Sequence, residues 1–249
     1  MTHASLSTAS RSLAAILLAA MLLPATSGAA GSAINLPPSA DLNYSIKARQ
    51  SGLSLDGEAL VQWHVANQRF TINTETRAVL AGKITEAKSE GAIDTNGLAP
   101  ETFIEKRFRK QATTTVFDRS GNTVNFGGSG SSEPIKGGEQ DRNSAIWQLI
   151  ALARAAPAKV KPGMEWTFMV AGARDAEPWT FKVVQEEKLQ TRFGELSTLH
   201  VIRNPPPDSK GQKLDIWLAP SQEWYPVRLR FAEADGDYIE QSLERISKK

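Results

Sequence analysis

The feature that most constrains this chain is a two-residue alternation of apolar and polar side chains that recurs over most of its length. In residues 58–65 the odd positions are Ala, Val, Trp and Val, and the even positions are Glu, Leu, Gln and His. Because side chains alternate between the two faces of a strand, this pattern predicts strands buried on one face. Turn sequences such as Ser51-Gly52 and Asn96-Gly97 predict antiparallel neighbours. Further strands are predicted near 42–50, 70–74, 83–94, 101–110, 113–118, 122–126, 164–171, 178–189, 194–204, 212–219, 223–232 and 238–246.

One stretch changes from this alternation to helical spacing. It follows a glycine-rich connector at 127–132. Its apolar residues at i, i+3, i+4 and i+7 are Ile146, Leu149, Ile150 and Ala153. Trp147 and Leu152 widen this apolar stripe. Asp141 is the predicted N-cap and Pro157 the predicted stop, so the helix is expected at about 141–155. The fold class predicted is mainly β: a strongly curved antiparallel sheet or open β-barrel with one amphipathic helix packed against or inside it.

The last three strands allow a prediction of register. If Leu218 lies opposite Tyr225, then Asp215 lies opposite Arg228. A three-residue loop at 234–236, with glycine in the left-handed position, places Arg230 opposite Glu240. Both turns leave one face of this ribbon apolar and the other charged.

The first 30 residues are predicted to be a signal peptide. A single Arg11 precedes an uncharged apolar run from Ser12 to Pro24, which is short for a bilayer span, and small residues follow it. Cleavage after Ala29 or Ala30 fits, with Ala30 favoured; a retained anchor or a buried N-terminal helix is the alternative. We expect residues 31–40 to form an extended leader and residues 41–249 a single β-barrel-like domain. The mature chain is then periplasmic or secreted and has no transmembrane segment.

The amino-acid composition excludes several kinds of functional site. The 249 residues include no cysteine, so there is no disulfide, thiolate metal site or cysteine nucleophile. The charged side chains, 29 basic against 27 acidic, nearly balance, and no nucleic-acid partner is expected. Outside the predicted signal peptide the two histidines, His64 and His200, lie far apart in sequence, so no metal site and no cofactor are predicted.

Catalytic motifs are lacking as well. No Gly-x-Ser-x-Gly elbow and no phosphate-binding loop occurs. Asp141 and Ser144 sit three apart at the predicted helix start, where capping explains them better than a reactive pair. The basic run 106–110 is interpreted as a solvated edge or a lipid-headgroup contact. We expect no enzymatic activity; an unrecognised hydrolase site would draw on His200, Asp141 and Ser144.

Aromatic and basic residues give the candidate ligand-binding positions. Six tryptophans occur, and most are expected in the core or lining a cavity. Trp217, on the face of its strand opposite the apolar one, is the exception. The candidates for ligand binding are Trp147, Ile150, Trp217, Arg228 and Arg230.

Seven short stretches follow one another along the chain: Gly97-Leu98-Ala99-Pro100, Phe117-Asp118-Arg119, 140–144, 191–194, 200–203, 215–220 and 225–228. Taken in order, they resemble the bacterial domain-of-unknown-function family 3108, over residues 41–246. Members are exported and have no established activity, so the resemblance implies no catalytic residues. It implies an architecture similar to the open β-barrels of periplasmic lipoprotein carriers, which hold acyl chains in an apolar groove.

The sequence therefore predicts a non-enzymatic binding module for an apolar or amphipathic component of the envelope, such as a lipid or a lipoprotein. The alternative is a structural or interaction protein with a solid core. The oligomeric state is left open. An open apolar cavity would favour the first function, because a carrier needs one and a scaffold does not.

Overall fold

The computed structural model describes residues 34–205 and 211–249; the predicted signal peptide and the start of the leader lie outside these residues. In the described part, fifteen strands form one sheet that does not close on itself, accompanied by one α-helix, which confirms the predicted fold class. No helix there is long and apolar enough to cross a bilayer. The elements are β1 (Ala40–Gln50), β2 (Leu53–Ala66), β3 (Arg69–Ala78), β4 (Gly82–Asp94), β5 (Gly97–Arg107), β6 (Thr113–Asp118), β7 (Thr123–Phe126), β8 (Ser132–Pro134), β9 (Gln140–Asp141), α1 (Ser144–Ala155), β10 (Glu165–Ala171), β11 (Ala176–Thr191), β12 (Gly194–Arg203), β13 (Lys213–Leu218), β14 (Pro226–Ala232) and β15 (Tyr238–Lys248).

The sheet consists of two meanders, β1–β8 and β9–β15, which are joined where the first strand, β1, pairs with the last, β15. Its order runs from β8 back to β1, crosses to β15, and continues back to β9. All pairs are antiparallel except β9 with β10. The two ends approach each other, because the Thr115 hydroxyl donates to the Gly172 carbonyl at 2.7 Å and the Gly128 N–H donates to the Ala173 carbonyl at 2.8 Å. The sheet therefore curves until its edges nearly meet.

Helix α1 fills the space that this curvature encloses. Trp147 stacks on Trp63 of β2 with ring centroids 4.3 Å apart, and Tyr225 meets Trp147 edge-on at 6.2 Å. The leader covers this aromatic group, because the Trp63 indole donates to the Pro37 carbonyl at 3.0 Å and the Tyr225 hydroxyl to Pro38 at 2.6 Å. Eight of the twelve residues of α1 are buried, so the helix is enclosed around much of its circumference.

Two glutamine side chains replace a missing strand partner. The first half of β5 has no β6 partner, since that pairing covers only residues 102–105 of β5. The buried Gln148 amide accepts from the Leu98 N–H at 2.8 Å and donates to the Asn96 carbonyl at 2.8 Å. Gln140 donates to the Leu98 carbonyl at 2.7 Å. Because unpaired buried peptide groups are costly, these amides join the edge of β5 to the helix and to β9.

The helix begins three residues later than predicted. Asp141 belongs to β9, and the N-cap position is Asn143. Asp141 still performs the capping role, because its Oδ1 accepts from the N–H groups of Asn143 at 2.8 Å and Ser144 at 2.9 Å. Its other carboxylate oxygen accepts from the hydroxyl of Ser89 on β4. A buried carboxylate thus ties the helix start to the sheet.

The predicted register of the last hairpin is confirmed and that of the preceding one is wrong by two residues. Arg230 lies opposite Glu240, and the Glu233 N–H closes the predicted three-residue loop on the Asp237 carbonyl. Asp215, however, lies opposite Arg230 rather than Arg228.

The cause of this difference is the turn before β14. A 3-10 turn at Pro220–Gln222 continues through left-handed Glu223 and Trp224, so the strand predicted at 223–232 begins only at Pro226. A shift of two positions keeps the same side chains on each face, so the apolar face was identified correctly.

Replacing Trp147 by alanine should remove the centre of the interior packing. We expect Trp147→Ala to lower the free energy of unfolding by about 3–5 kcal/mol, as for other large-to-small core changes. Urea unfolding followed by far-UV circular dichroism measures this. Trp217→Ala, on the opposite face of the sheet, is the control and should cost less; equal losses would show that the stack does not hold the fold together.

The Asp141 carboxylate should make stability depend on pH. Burial raises its pKa to about 6, although its hydrogen bonds from Ser89, Ser144 and Asn143 act in the opposite direction. Since the unfolded value is about 3.9, the folded state takes up a proton first as the pH falls from 7 to 4, and stability rises by about 2–3 kcal/mol from this group.

Comparison with Asp141→Asn isolates this effect, because the amide keeps an acceptor for the helix N–H groups. Unfolding free energies at pH 7, 6 and 5 should show the wild type gaining on the variant as the pH falls. A difference that stays constant or shrinks over this range would contradict the assignment.

Candidate functional site

The structure separates the predicted ligand-binding residues into two groups. Trp147 and Ile150 lie in the filled interior, with 4% and 0% of their surface exposed. Trp217, Arg228 and Arg230 lie on the outer face of the sheet, the face that points away from α1. The five residues therefore do not form one site.

The outer group forms a ladder across neighbouring strands. His200 of β12, Trp217 of β13 and Arg228 of β14 lie directly opposite one another. The imidazole and indole rings stack at 4.5 Å with their planes 6° apart, and the Arg228 guanidinium lies 5.8 Å from the indole centroid. Both faces of Trp217 are thus occupied by the protein's own side chains, which leaves little of the ring open to a ligand.

Carboxylates neutralise this ladder. His200 Nε2 lies 2.8 Å from an Asp215 oxygen, and its Nδ1 lies 3.6 Å from Glu187. Burial alone would raise the pKa of Asp215, but hydrogen bonds from His200 and Lys213 outweigh it and hold that pKa below its ordinary value. Glu187 also accepts from the Trp217 indole at 2.5 Å. The arrangement resembles the histidine–carboxylate part of a catalytic triad, but each ring nitrogen faces a carboxylate rather than a nucleophile.

The possible enzymatic residues are also separated. Asp141 and Ser144 cap α1 in the interior, whereas His200 belongs to the outer face. In the stretches that the structure describes, no three His, Asp or Glu side chains are grouped to hold a metal ion. The ladder is best explained as cross-strand pairing that fixes register.

A groove on the outer face of β2–β5 has a different character. Its volume is about 370 Å³. Two cross-strand rows form its floor, and Ala87, Thr74 and Ala112 complete the lining. One row is Gln62, Asn73, Lys88 and Ile104; the other is Leu60, Glu75, Glu86 and Lys106.

The charges in this groove are unequally paired. Glu75 contacts Lys83 at 2.8 Å and Arg77 at 2.5 Å, and Glu86 also contacts Lys83. Lys88 pairs with Glu90 at 2.7 Å. Lys106, alone among the charged residues of the lining, has no carboxylate within 4 Å in the described part of the chain. The groove therefore combines two apolar side chains, Leu60 and Ile104, with one ammonium group that has no carboxylate partner among the described residues.

Sequence reasoning missed this groove because each strand contributes only two or three lining residues. The available signal was an exception to the alternation: Leu60 and Ile104 are apolar at positions where the face is otherwise polar. Without the pairing of four strands, nothing in the sequence places these two side chains on one surface.

Comparison with known proteins finds one family and several solved structures. The family described as "Protein of unknown function (DUF3108)" matches residues 43–244. Among curated proteins there is no match. A Bacteroides fragilis protein described as exported, with a YmcC-like fold, is 10% identical, with 86% of this chain and 100% of that chain covered and a TM-score of 0.38. A Parabacteroides distasonis protein described as a lipoprotein is 10% identical, with 85% and 97% covered and a TM-score of 0.34.

A third structure, described as an outer-membrane lipoprotein-sorting domain from Vibrio parahaemolyticus, is 7% identical, with 85% and 86% covered and a TM-score of 0.29. Likenesses at these scores carry no functional argument. The family match is of another kind, because it spans most of the chain and agrees with the resemblance found in residues 41–246. The chain belongs to the DUF3108 family of proteins of unknown function.

Proposed function

We propose that this protein is a non-enzymatic, exported binding module for an amphipathic envelope component, with the apolar part of the ligand in the outer groove and an acidic group at Lys106. The observation that carries the proposal is the groove itself, whose volume of about 370 Å³ falls in the ~300–1,000 Å³ range of ligand sites. The export signal predicted for residues 1–30 supports a periplasmic or secreted location.

The filled interior supports a site on the outside of the sheet. A ligand inside would have to displace the Trp63–Trp147 stack, together with the leader that hydrogen-bonds to Trp63. The groove requires no such displacement, because Leu60 and Ile104 are already partly exposed on a surface. A bound alkyl chain would cover these side chains and gain the hydrophobic free energy of their burial.

The acidic nature of the ligand follows from the pairing of charges. Glu75 and Glu86 are neutralised by Lys83 and Arg77, so the uncompensated charge in the lining is that of Lys106. A carboxylate or phosphate at the end of an alkyl chain would pair with this ammonium at one end of the groove.

Binding of cis-parinaric acid, a fluorescent fatty acid, tests the groove. We expect Leu60→Glu and Ile104→Glu each to weaken binding about tenfold or more, because a charge would replace an apolar contact. Val116→Glu is the matched control: Val116 is 41% exposed on the same face, on β6, and does not line the groove. Equal affinity in all four proteins would place the ligand elsewhere.

The role of Lys106 has its own test. Lys106→Gln should weaken binding of the acid about two- to fivefold, in line with an exposed ion pair, and leave the affinity for its methyl ester unchanged. A parallel loss for acid and ester would show that Lys106 does not pair with the acidic group.

A second candidate function is an envelope scaffold with a solid core, and the filled interior is the observation that favours it. Such a protein would bind another envelope protein through its outer surface and take up no alkyl chain. Crosslinking in cells together with native mass spectrometry separates the two functions: a persistent protein partner without copurified lipid supports the scaffold.

A further inference from the structure

Three hairpin turns of the first meander carry most of the large exposed apolar side chains of the described residues. We call them the hairpin row: β1–β2 (residues 51–55), β3–β4 (79–81) and β5–β6 (108–112). In the described residues, five of the seven large exposed apolar side chains belong to it: Leu53 at 66%, Leu55 at 36%, Val79 at 74%, Leu80 at 94% and Phe108 at 43%. The other two, Val116 and Val184, are single residues elsewhere. A concentration of this kind marks an interaction surface.

The three turns lie side by side. In an antiparallel meander, alternate turns fall at the same end of the sheet, and these are the first, third and fifth. The Val79 N–H donates to the Asp56 carbonyl at 3.0 Å, which joins the first two turns. Thr85 lies opposite Arg107, which places the third turn beside the second. The apolar tips therefore project from one edge.

The charge of this edge is concentrated at the third turn. Residues 106–110 contain four basic side chains and Phe108, and the stretch from Lys106 to Ala112 has no acidic residue. Arg107 pairs with Glu105, and the Arg109 guanidinium lies 4.8 Å from the Phe108 ring. Arg109 and Lys110 have no carboxylate within 4 Å among the residues described. The acidic side chains near the tips lie at the other end of the row: Asp56 follows the first turn, and the Asp237 carboxylate of the neighbouring β14–β15 turn accepts from the Ser51 N–H at 2.7 Å, with Asp235 beside it.

We propose that the hairpin row docks the protein on an anionic lipid bilayer surface, with Val79, Leu80 and Phe108 entering the interface and Arg109 and Lys110 meeting lipid phosphates. Separate side chains projecting from turns suit an interface that reshapes around them, whereas a protein partner needs a matching contiguous surface. Basic residues beside apolar ones add attraction to anionic headgroups. This inference goes beyond the proposed function and does not rest on the groove.

Flotation with vesicles of phosphatidylcholine, with and without phosphatidylglycerol, tests the docking. We expect the purified mature protein, without the predicted signal peptide at residues 1–30, to bind the phosphatidylglycerol vesicles and to be released as salt is raised. Val79→Ser with Leu80→Ser should weaken binding about tenfold or more, and Arg109→Glu with Lys110→Glu about 30-fold or more. These side chains are exposed, so both variants should unfold at the wild-type temperature.

Two controls match these variants. Val184→Ser removes an exposed apolar side chain from β11, and Lys159→Glu with Lys161→Glu reverses two exposed charges between α1 and β10, at the other end of the sheet. Both should bind vesicles like the wild type. Ile104→Glu should also bind normally, so failure of the groove and failure of the docking edge are distinguishable.

Because the chain has no cysteine, a single introduced cysteine can report insertion directly. Leu80→Cys labelled with an environment-sensitive fluorophore should shift to the blue on phosphatidylglycerol vesicles, and Val184→Cys should not. The proposal is overturned by failure to bind these vesicles, by equal binding to phosphatidylcholine alone, or by full binding in both hairpin-row variants.

Discussion

The stacking of Trp147 on Trp63 is the contact on which the rest of the structure depends. It places α1 inside the curvature of the sheet and gives strands from both meanders a common surface to pack against. Since the sheet does not close by strand pairing, the helix also has to supply hydrogen bonds to the unpaired part of β5. Gln148 does this by satisfying the Leu98 N–H, while Asp141 fixes the start of the helix to β4. Packing and polar pairing are therefore supplied by α1 together with β9, the short strand that precedes it.

Because the interior is filled by packed side chains, a binding site has to lie on the surface. The face away from α1 carries two unlike regions. On β12–β14 the ladder around Trp217 is saturated by its own ion pairs and ring contacts, so it stabilises register. On β2–β5 the groove and the neighbouring hairpin row keep apolar side chains and unpaired basic charges exposed. Lys106 belongs to the groove and directly precedes the third turn, so an amphipath leaving a bilayer would meet both regions in succession.

The sequence predicts features that depend on local periodicity and misses those that depend on pairing across strands. Alternation identified the curved sheet, and helical spacing identified a buried α1, because both patterns reflect one element's own burial. The register of Asp215 was misassigned because the left-handed Glu223 and Trp224 lengthen a turn without any glycine to signal it. The groove is harder to predict, because Leu60 and Ile104 are far apart in sequence and line one surface only when four strands are aligned.

A crystal structure of the protein with a bound long-chain fatty acid tests the central claim most directly, namely that the interior is packed and the ligand site lies outside. The account predicts electron density for the alkyl chain along Leu60 and Ile104, its carboxylate near Lys106, and an unchanged Trp63–Trp147 stack. Density for the chain between α1 and the sheet, with Trp147 displaced, would contradict it.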